Sequence, residues 1–222
     1  MGKILLTGFE AYGNTPHNPA ESVARALDGK TIGESKVIAR IVPNNFFESI
    51  KFVQSSITET QPNVVVMLGE YPGRAMITVE RIAQNLNDST RYGLADNNGC
   101  ELQDQMTVPE GPIAYHSTLP IRAMVKAMRE DGIPADISDV AGTFCCNHLM
   151  YGVLHYIKTK NLPIRAGWIH LPSLPRVAAL PENLGVPSMS VETSSGGVEI
   201  GLRAILENSL DIQAPLLSRL QI

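Results

Sequence analysis

Residues 64–68 read Val64-Val65-Val66-Met67-Leu68, an uninterrupted apolar run rich in β-branched side chains. Such a run is typical of a strand that is covered on both faces, as in a parallel sheet with helices on each side. Outward from it, further β-rich runs lie at 4–7, 37–42 and 166–170, with a short one ending at 137. Between them, helical periodicity is found at 18–27, 45–57, 119–130, 147–158 and 191–208. This alternation predicts an α/β fold, a three-layer α/β/α sandwich around a mainly parallel, mixed and twisted sheet.

Three parts of the chain fit the alternation less well. Residues 76–81 alternate apolar and polar side chains and predict a strand of a hairpin or a strand at the sheet edge. Residues 85–112 are rich in Asn, Asp and Gly and predict a long irregular segment, a kind of segment that is often functional. Residues 171–187 carry four prolines and predict a loop, and Gly196-Gly197 marks a point where the last helix could break.

The composition restricts the classes of partner. The chain has 222 residues, 44% of them hydrophobic, enough for the core of a single domain over residues 1–222. Its net charge is −4, it has no basic run and only 5% of it is aromatic, so nucleic acid and anionic membranes are poor partners. The apolar runs are too short to span a bilayer, and the one at residues 4–6 is too short for a signal peptide. Three cysteines, an odd number, predict reduced thiols in the cytoplasm.

Cys146 is the first candidate for chemistry, within Ala141-Gly142-Thr143-Phe144-Cys145-Cys146-Asn147. A thiol at the start of a helix faces free backbone N–H groups and the positive end of the helix dipole, which favour the thiolate and can hold an oxyanion. The other interpretation is that both cysteines are small buried apolar residues. Because neighbouring residues cannot both point into one site, at most one is a nucleophile. The cysteines and nearby histidines lack the spaced, paired ligands of a zinc site, so no metal is expected.

His170 and Glu80 are the second and third candidates. His170 ends the predicted strand Gly167-Trp168-Ile169, a position where α/β sheets place working residues, and it could take a thiol proton and return it to a leaving amine. It could equally be a hydrogen-bonded histidine without a catalytic duty. Glu80 lies in an apolar alternation and could fix the imidazole tautomer as the third member of a triad. An exposed strand carboxylate paired with an arginine is the alternative.

Four separated segments resemble one family, the cysteine-type pyroglutamyl peptidases, also called pyrrolidone carboxyl peptidases. The segments are Thr7-Gly8-Phe9-Glu10-Ala11-Tyr12-Gly13 with Asn18-Pro19, residues 69–85, residues 138–147, and Gly167-Trp168-Ile169-His170-Leu171-Pro172. The second and third look like the family's glutamate and cysteine signatures. The matches extend from the first strand past residue 170 and keep the order Glu, Cys, His.

The resemblance implies a catalytic triad of Glu80, Cys146 and His170. It selects Cys146 over Cys145, because the family nucleophile directly precedes the position that is Asn147 here. It also implies that Arg91 lies near the oxyanion. The substrate-binding residues that it implies are Phe9, Tyr12, Asn18, Glu70, Phe144 and Cys145. The chain departs from the family pattern at Ala11-Tyr12, where Pro-Phe is usual, at Glu70, where Gln is common, at Val140 and Cys145, and in a longer segment over residues 89–97.

The function implied by the resemblance is that of a peptidase that removes the N-terminal pyroglutamyl residue from peptides through a thioester. It implies no cofactor and a homo-oligomer, commonly a tetramer. The pyroglutamyl group is a neutral lactam, so its pocket needs apolar walls and a few polar groups rather than an anion for an ammonium. Two alternatives stay open: a related cysteine amidase acting on another small acyl or cyclic amide, which Tyr12 and Glu70 motivate, and a non-catalytic binder on the same fold.

Overall fold

The structure is a computed structural model that describes residues 2–13 and 15–218. The strands of the described chain are β1 (Gly2–Phe9), β2 (Thr31–Ile32), β3 (Ser35–Val42), β4 (Val64–Glu70), β5 (Ile77–Glu80), β6 (Ile82–Gln84), β7 (Ala114–His116), β8 (Ala135–Ser138) and β9 (Arg165–Leu171). Its helices are α1 (Pro19–Leu27), α2 (Glu48–Thr60), α3 (Ile121–Glu130), α4 (Cys145–Thr159), α5 (Pro175–Ala178) and α6 (Val191–Glu207).

The central sheet has the strand order β2-β3-β1-β4-β9-β5-β8. Strands β3, β1, β4 and β9 pair in parallel, as do β5 and β8, whereas β2 is antiparallel to β3 and β5 is antiparallel to β9. A separate small ribbon is formed by β6 and β7. Because β3, β1, β4 and β9 run the same way, their carboxyl ends meet at one edge of the sheet, where such folds place their sites.

Helices cover both faces of this sheet. On one face, alternate strand residues such as Ile4 and Val66 pack with α1, α3 and α6. On the other, Leu5, Met67 and Trp168 pack with α2 and α4. All seven residues of β4 are buried, as its continuous apolar run predicts for a central strand. The predicted three-layer fold with a mainly parallel, mixed sheet is confirmed.

Several local predictions need correction. Residues 77–80 do not form an edge strand or a hairpin, because β5 lies between β9 and β8. The second helix begins at Glu48 rather than at residue 45, after Phe47 with a φ of 60°. The last helix is continuous through Gly196-Gly197. Residues 171–187 contain α5 and a 3-10 turn at Pro181–Asn183. The irregular segment at 85–112 is present, with a 3-10 turn at Thr90–Tyr92.

Across residues 2–13 and 15–218, no helix combines the length and the apolar character needed to cross a membrane. The same residues contain no group of three or more His, Cys, Asp or Glu side chains arranged to hold a metal ion.

Candidate active site

Cys146 is the second residue of α4. The chain enters this helix through Gly142, whose φ of 82° suits glycine, and through Phe144 in an extended conformation. No side chain of the described residues caps the first turn, so its backbone N–H groups are left for other acceptors. The N–H of Cys146 itself lies against the Cys146 sulfur. The predicted position of the thiol at a helix start is therefore observed.

Gly69 lets the thiol approach the sheet. A Cβ atom at this position would lie 2.9 Å from Cys146 Sγ and 2.6 Å from a ring atom of Trp168. Both distances are shorter than a side chain tolerates, so only glycine leaves this space free. Gly69 is also the direct neighbour of His170 in the pairing of β4 with β9. The sulfur thus lies above the strand pair that carries the imidazole.

His170 is held by a carboxylate on the adjacent strand. Its Nδ1 lies 2.7 Å from Glu80 Oε1, and both side chains are almost fully buried. Because an ionised carboxylate only accepts, Nδ1 carries the proton and Nε2 is left with a free lone pair. The imidazole is flanked by Trp168 and by Tyr71, with ring centroids 5.6 Å and 5.2 Å away. This packing fixes both the tautomer and the orientation of the ring.

Arg74 supports the carboxylate from behind. Its Nη1 lies 2.7 Å from Glu80 Oε1 and also hydrogen-bonds Thr78, while Nη2 donates to Ser138 at 3.2 Å. The guanidinium packs 3.7 Å from the centroid of the Tyr71 ring. Tyr71 also packs against His170. Arg74 therefore contacts both the carboxylate of Glu80 and an aromatic ring that packs on the imidazole. The alternative of an exposed Glu80 is excluded, because this side chain is fully buried.

The electrostatics of this pair favour a charged carboxylate and a neutral imidazole. Burial acts to raise the pKa of Glu80, but the hydrogen bond from His170 and the charges of His170 and Arg74 outweigh it and lower the pKa overall. Burial lowers the pKa of His170, the hydrogen bond and charge of Glu80 act in the opposite direction, and the lowering prevails. At neutral pH His170 can therefore accept a proton.

The thiol does not have the lowered pKa that its helix position predicts. Burial raises the pKa of Cys146, and the charges of Glu80 and Glu70 add to this, whereas Arg74 and the backbone hydrogen bond lower it by less. The free donors of one helix end do not offset desolvation and the two nearby carboxyl groups. Both shifts favour the neutral forms of the thiol and the imidazole, so the sulfur depends on His170 as its base.

A cavity of about 180 Å³ opens beside the thiol. Seven of the predicted site residues line it, namely Phe9, Tyr12, Asn18, Glu70, Phe144, Cys146 and His170. Its remaining lining residues are Asn44, Tyr71, Pro72, Tyr92, Leu94, Ala141, Gly142 and Thr143. The volume is below that of pockets for drug-sized ligands and suits one small ring.

Two predicted site residues lie elsewhere. Cys145 is fully buried in the hydrophobic cluster between α4 and the sheet, because consecutive helix residues point in different directions. Arg91 is exposed, and its guanidinium lies 5.2 Å from the centroid of the Tyr92 ring, on the solvent side of the segment that lines the cavity. The structure does not bring either side chain to the thiol.

The sequence prediction missed Asn44, Tyr71 and Arg74. Asn44 follows β3 and Tyr71 follows β4, so both lie at the sheet edge where parallel strands end, and this was a usable signal. Asn44 is 2% exposed, and its Oδ1 has no hydrogen-bond partner in the part of the chain that the structure describes. Arg74 could not be found in this way, because its role depends on contacts to β5 and to the segment after β8.

Comparison with known proteins gives one consistent result. The family model described as pyroglutamyl peptidase matches residues 2–208. Over 222 residues, the whole of both chains, the sequence is 63% identical to a pyrrolidone-carboxylate peptidase of Mycobacterium tuberculosis. It is 44% identical over 214 residues to one of Bacillus mycoides, covering 96% of this chain and 97% of that protein.

Solved structures agree with the sequence comparison. The pyroglutamyl peptidase I of Bacillus amyloliquefaciens superposes with a TM-score of 0.92 at 33% identity, covering 97% of this chain and 100% of that one. The pyrrolidone carboxyl peptidase of Thermococcus litoralis superposes with a TM-score of 0.91 at 36% identity, covering 97% and 100%.

Proposed function

The chain belongs to the pyroglutamyl peptidase family and is a cysteine-type hydrolase of that activity, and on this premise we propose that Cys146, His170 and Glu80 are its catalytic residues. The observation that carries the proposal is a single cavity lined by the Cys146 thiol and by an imidazole that is oriented by a buried carboxylate. A single domain over residues 1–222 belongs to the same proposal, since the two hydrophobic clusters pack on opposite faces of one sheet.

In the proposed acylation step, His170 Nε2 takes the proton of the Cys146 thiol as the sulfur attacks the pyroglutamyl carbonyl carbon. The carbonyl oxygen becomes an oxyanion, and the uncapped N–H groups at the start of α4 are positioned to donate to it. Glu80 stabilises the imidazolium that forms. His170 then gives its proton to the departing amine, the C–N bond breaks, and a thioester remains.

Deacylation reverses these roles. Water enters as the peptide amine leaves, and neutral His170 takes a proton from it as its oxygen attacks the thioester carbonyl. The tetrahedral intermediate collapses, the C–S bond breaks, and the imidazolium returns the proton to the Cys146 thiolate. The products are pyroglutamic acid and a peptide shortened by one residue.

For the substrate, we propose peptides with an N-terminal pyroglutamyl residue. Phe9, Tyr12 and Phe144 form aromatic walls around the cavity, with Tyr12 and Phe144 ring centroids 6.2 Å apart. Asn18 is held in place by its own contacts, because its side chain caps α1 and donates to Glu10 O at 2.9 Å. The one carboxyl group that lines the cavity in the described chain is Glu70, and burial raises its pKa, which disfavours the anion that an α-ammonium would need. A blocked, neutral ring therefore suits it better than an ordinary N-terminal residue.

Hydrolysis of pyroglutamyl-aminomethylcoumarin tests the assignment. We expect Cys146→Ser to lower kcat/KM by at least about a thousandfold, as removal of a nucleophile does in other enzymes. The matched control is Cys145→Ala, which changes the adjacent thiol in the core and should keep most of the activity per folded molecule. Equal losses in the two variants, or full activity in Cys146→Ser, would remove Cys146 from the mechanism.

A cytoplasmic location and a homotetramer are also part of the proposal. All three cysteines of the chain are free, which fits a reducing compartment. Several large apolar side chains are exposed and could be covered by further copies of the chain, among them Phe47, Phe52, Met106, Ile113 and Leu184. Light scattering after size exclusion tests the assembly, and a mass of one chain, 24.1 kDa, would contradict it.

A further inference from the structure

Glu70 is a buried carboxyl group without a partner at the proposed acyl site. It is the last residue of β4, it is 5% exposed, and it lines the cavity next to Cys146. Neither of its oxygens makes a hydrogen bond to any residue in the described ranges. The hydroxyls of Tyr12 and Ser173 lie close enough to act on its pKa, but neither completes a well-aligned hydrogen bond. A buried polar group of this kind requires an explanation.

The surroundings of Glu70 favour its uncharged form. Burial raises the pKa of this carboxyl, and the two hydroxyls lower it by less. Among the groups described around it, no cation forms an ion pair with Glu70, in contrast to Glu80 with Arg74. Burying a lone carboxylate costs far more than burying a carboxylic acid, so the group keeps its proton to a higher pH than an exposed glutamate.

We propose that Glu70 recognises the substrate as a neutral carboxylic acid, with its O–H donating to the lactam carbonyl and its C=O accepting from the lactam N–H of the pyroglutamyl ring. A five-membered lactam holds its N–H and C=O side by side on one edge, and a carboxylic acid offers the complementary acceptor and donor side by side. The pairing satisfies both oxygens that are unpartnered in the free protein. The inference rests on the proposed function, since it assigns the ring of that substrate to this side chain.

Ionisation of Glu70 would destroy this complementarity. A carboxylate only accepts, so it would leave the lactam carbonyl unpaired and place a second anion near the thiol. The raised pKa values of Tyr12 and Cys146 both contain a contribution from the Glu70 charge, after burial as the main cause. The titratable groups that share the cavity with Glu70 are Tyr12, Tyr71, Tyr92, Cys146 and His170, and Glu80 with Arg74 lies behind His170.

Lactam binding can be measured separately from catalysis. The experiment is an NMR titration of 2-pyrrolidinone into Cys146→Ala protein, which has no thiol lining the cavity, between about pH 5 and pH 9. We expect Kd to rise with pH above the ionisation of Glu70, approaching tenfold per pH unit for a single linked proton. In Cys146→Ala with Glu70→Gln, the amide keeps one donor and one acceptor but does not titrate. That protein should bind with a Kd that is flat over the same range.

Two further measurements complete the design. Cys146→Ala with Glu70→Ala should bind 2-pyrrolidinone at least about tenfold more weakly at low pH, because two buried hydrogen bonds are lost. Cyclopentanone has a similar ring without the N–H and should also bind more weakly to Cys146→Ala. The proposal is overturned if Kd does not change with pH in Cys146→Ala, if the change survives Glu70→Gln, or if Glu70→Ala binds as well as Glu70→Gln. Failure of the proposed function is a different result, namely no hydrolysis of pyroglutamyl-aminomethylcoumarin by the unaltered protein.

Discussion

His148 and His170 are both almost fully buried, and both have a lowered pKa because of burial, yet their surroundings differ. His148 Nε2 accepts from the backbone N–H of Phe47 at 2.8 Å, and its Nδ1 lies 3.1 Å from Asn87 Oδ1. Both of its ring nitrogens are used by neutral partners. His170 has a carboxylate at Nδ1 and a cavity beside the rest of its ring. Burial therefore does not distinguish the two histidines. His170 can transfer a proton because it has an anionic partner and an unused ring nitrogen, whereas His148 uses both nitrogens to connect segments of the chain.

The largest expected difference is between the asparagine variants of these two residues. His170→Asn removes the proposed base, and we expect kcat/KM per folded molecule to fall by at least about a thousandfold. His148→Asn can keep the contact to Asn87 but leaves the Phe47 N–H without its acceptor. We expect it to lose about 1–3 kcal/mol of stability and to keep most of its activity per folded molecule. Activity assays and denaturant unfolding check both, and similar activity losses in the two variants would contradict the comparison.

The carboxylate partner of His170 gives the next largest effect. Glu80→Gln should lower kcat by roughly 10²–10⁴-fold, in the range seen when the carboxylate of a related triad is made neutral. Because Glu80 raises the pKa of His170 against the effect of burial, its loss should lower that pKa further. His170 must be neutral to act as a base, so the acid limb of kcat/KM should move to lower pH in the variant. The pH profile distinguishes this from a loss of folding, and an acid limb that moves to higher pH would contradict it.

The sequence predicted the layers of this fold and the position of the thiol better than the contacts between distant residues. The buried run at residues 64–68 and the helix predicted over residues 147–158 are local patterns, and both are observed in the described chain, the helix starting two residues earlier at Cys145. The place of β5 was predicted wrongly, because whether a short strand lies inside a sheet depends on β8 and β9, which are far away in sequence.

The same limit applies inside the candidate site. Glu80 and His170 are 90 residues apart, and the resemblance to a family, not the local pattern, brought them together before the structure did. Arg74 and His148 could not be assigned from sequence, since each is defined by hydrogen bonds to segments that are separate in the chain: two for Arg74 and three for His148. The lowered pKa that the helix start predicted for Cys146 is wrong for a related reason, because the burial that raises it, and the carboxyl groups of Glu80 and Glu70 that add to it, come from packing against other parts of the chain.

Gly69 tests how closely the thiol must approach the strand that pairs with β9. Gly69→Ala places a Cβ against Trp168 and the Cys146 sulfur, and we expect a loss of about 1–3 kcal/mol of stability together with a lower kcat. Gly196→Ala is the matched control, since it lies within α6 with open space around its Cβ and should stabilise the protein by roughly 0.5–1 kcal/mol. An active Gly69→Ala protein with unchanged stability would show that the thiol can move away from the sheet without cost.

The effect with the least change at neutral pH is the pH dependence of stability that His148 causes. Burial lowers the pKa of His148 to about 3 in the folded chain, against an ordinary value near 6.5, and the charge of Asp96 offsets little of this. Between these two values the unfolded chain binds the additional proton, so the free energy of unfolding rises with pH. The contribution is complete above about pH 6.5 and is lost as the pH falls toward 3, with a slope of at most about 1.4 kcal/mol per pH unit.

Denaturant unfolding at several pH values should show a shallower slope of the free energy of unfolding against pH in His148→Asn than in the unaltered protein. The lowered pKa of His170 adds to the slope equally in both proteins, so it cancels in the difference. Equal slopes would mean that His148 is not the buried, neutral histidine that its two hydrogen-bonded nitrogens indicate.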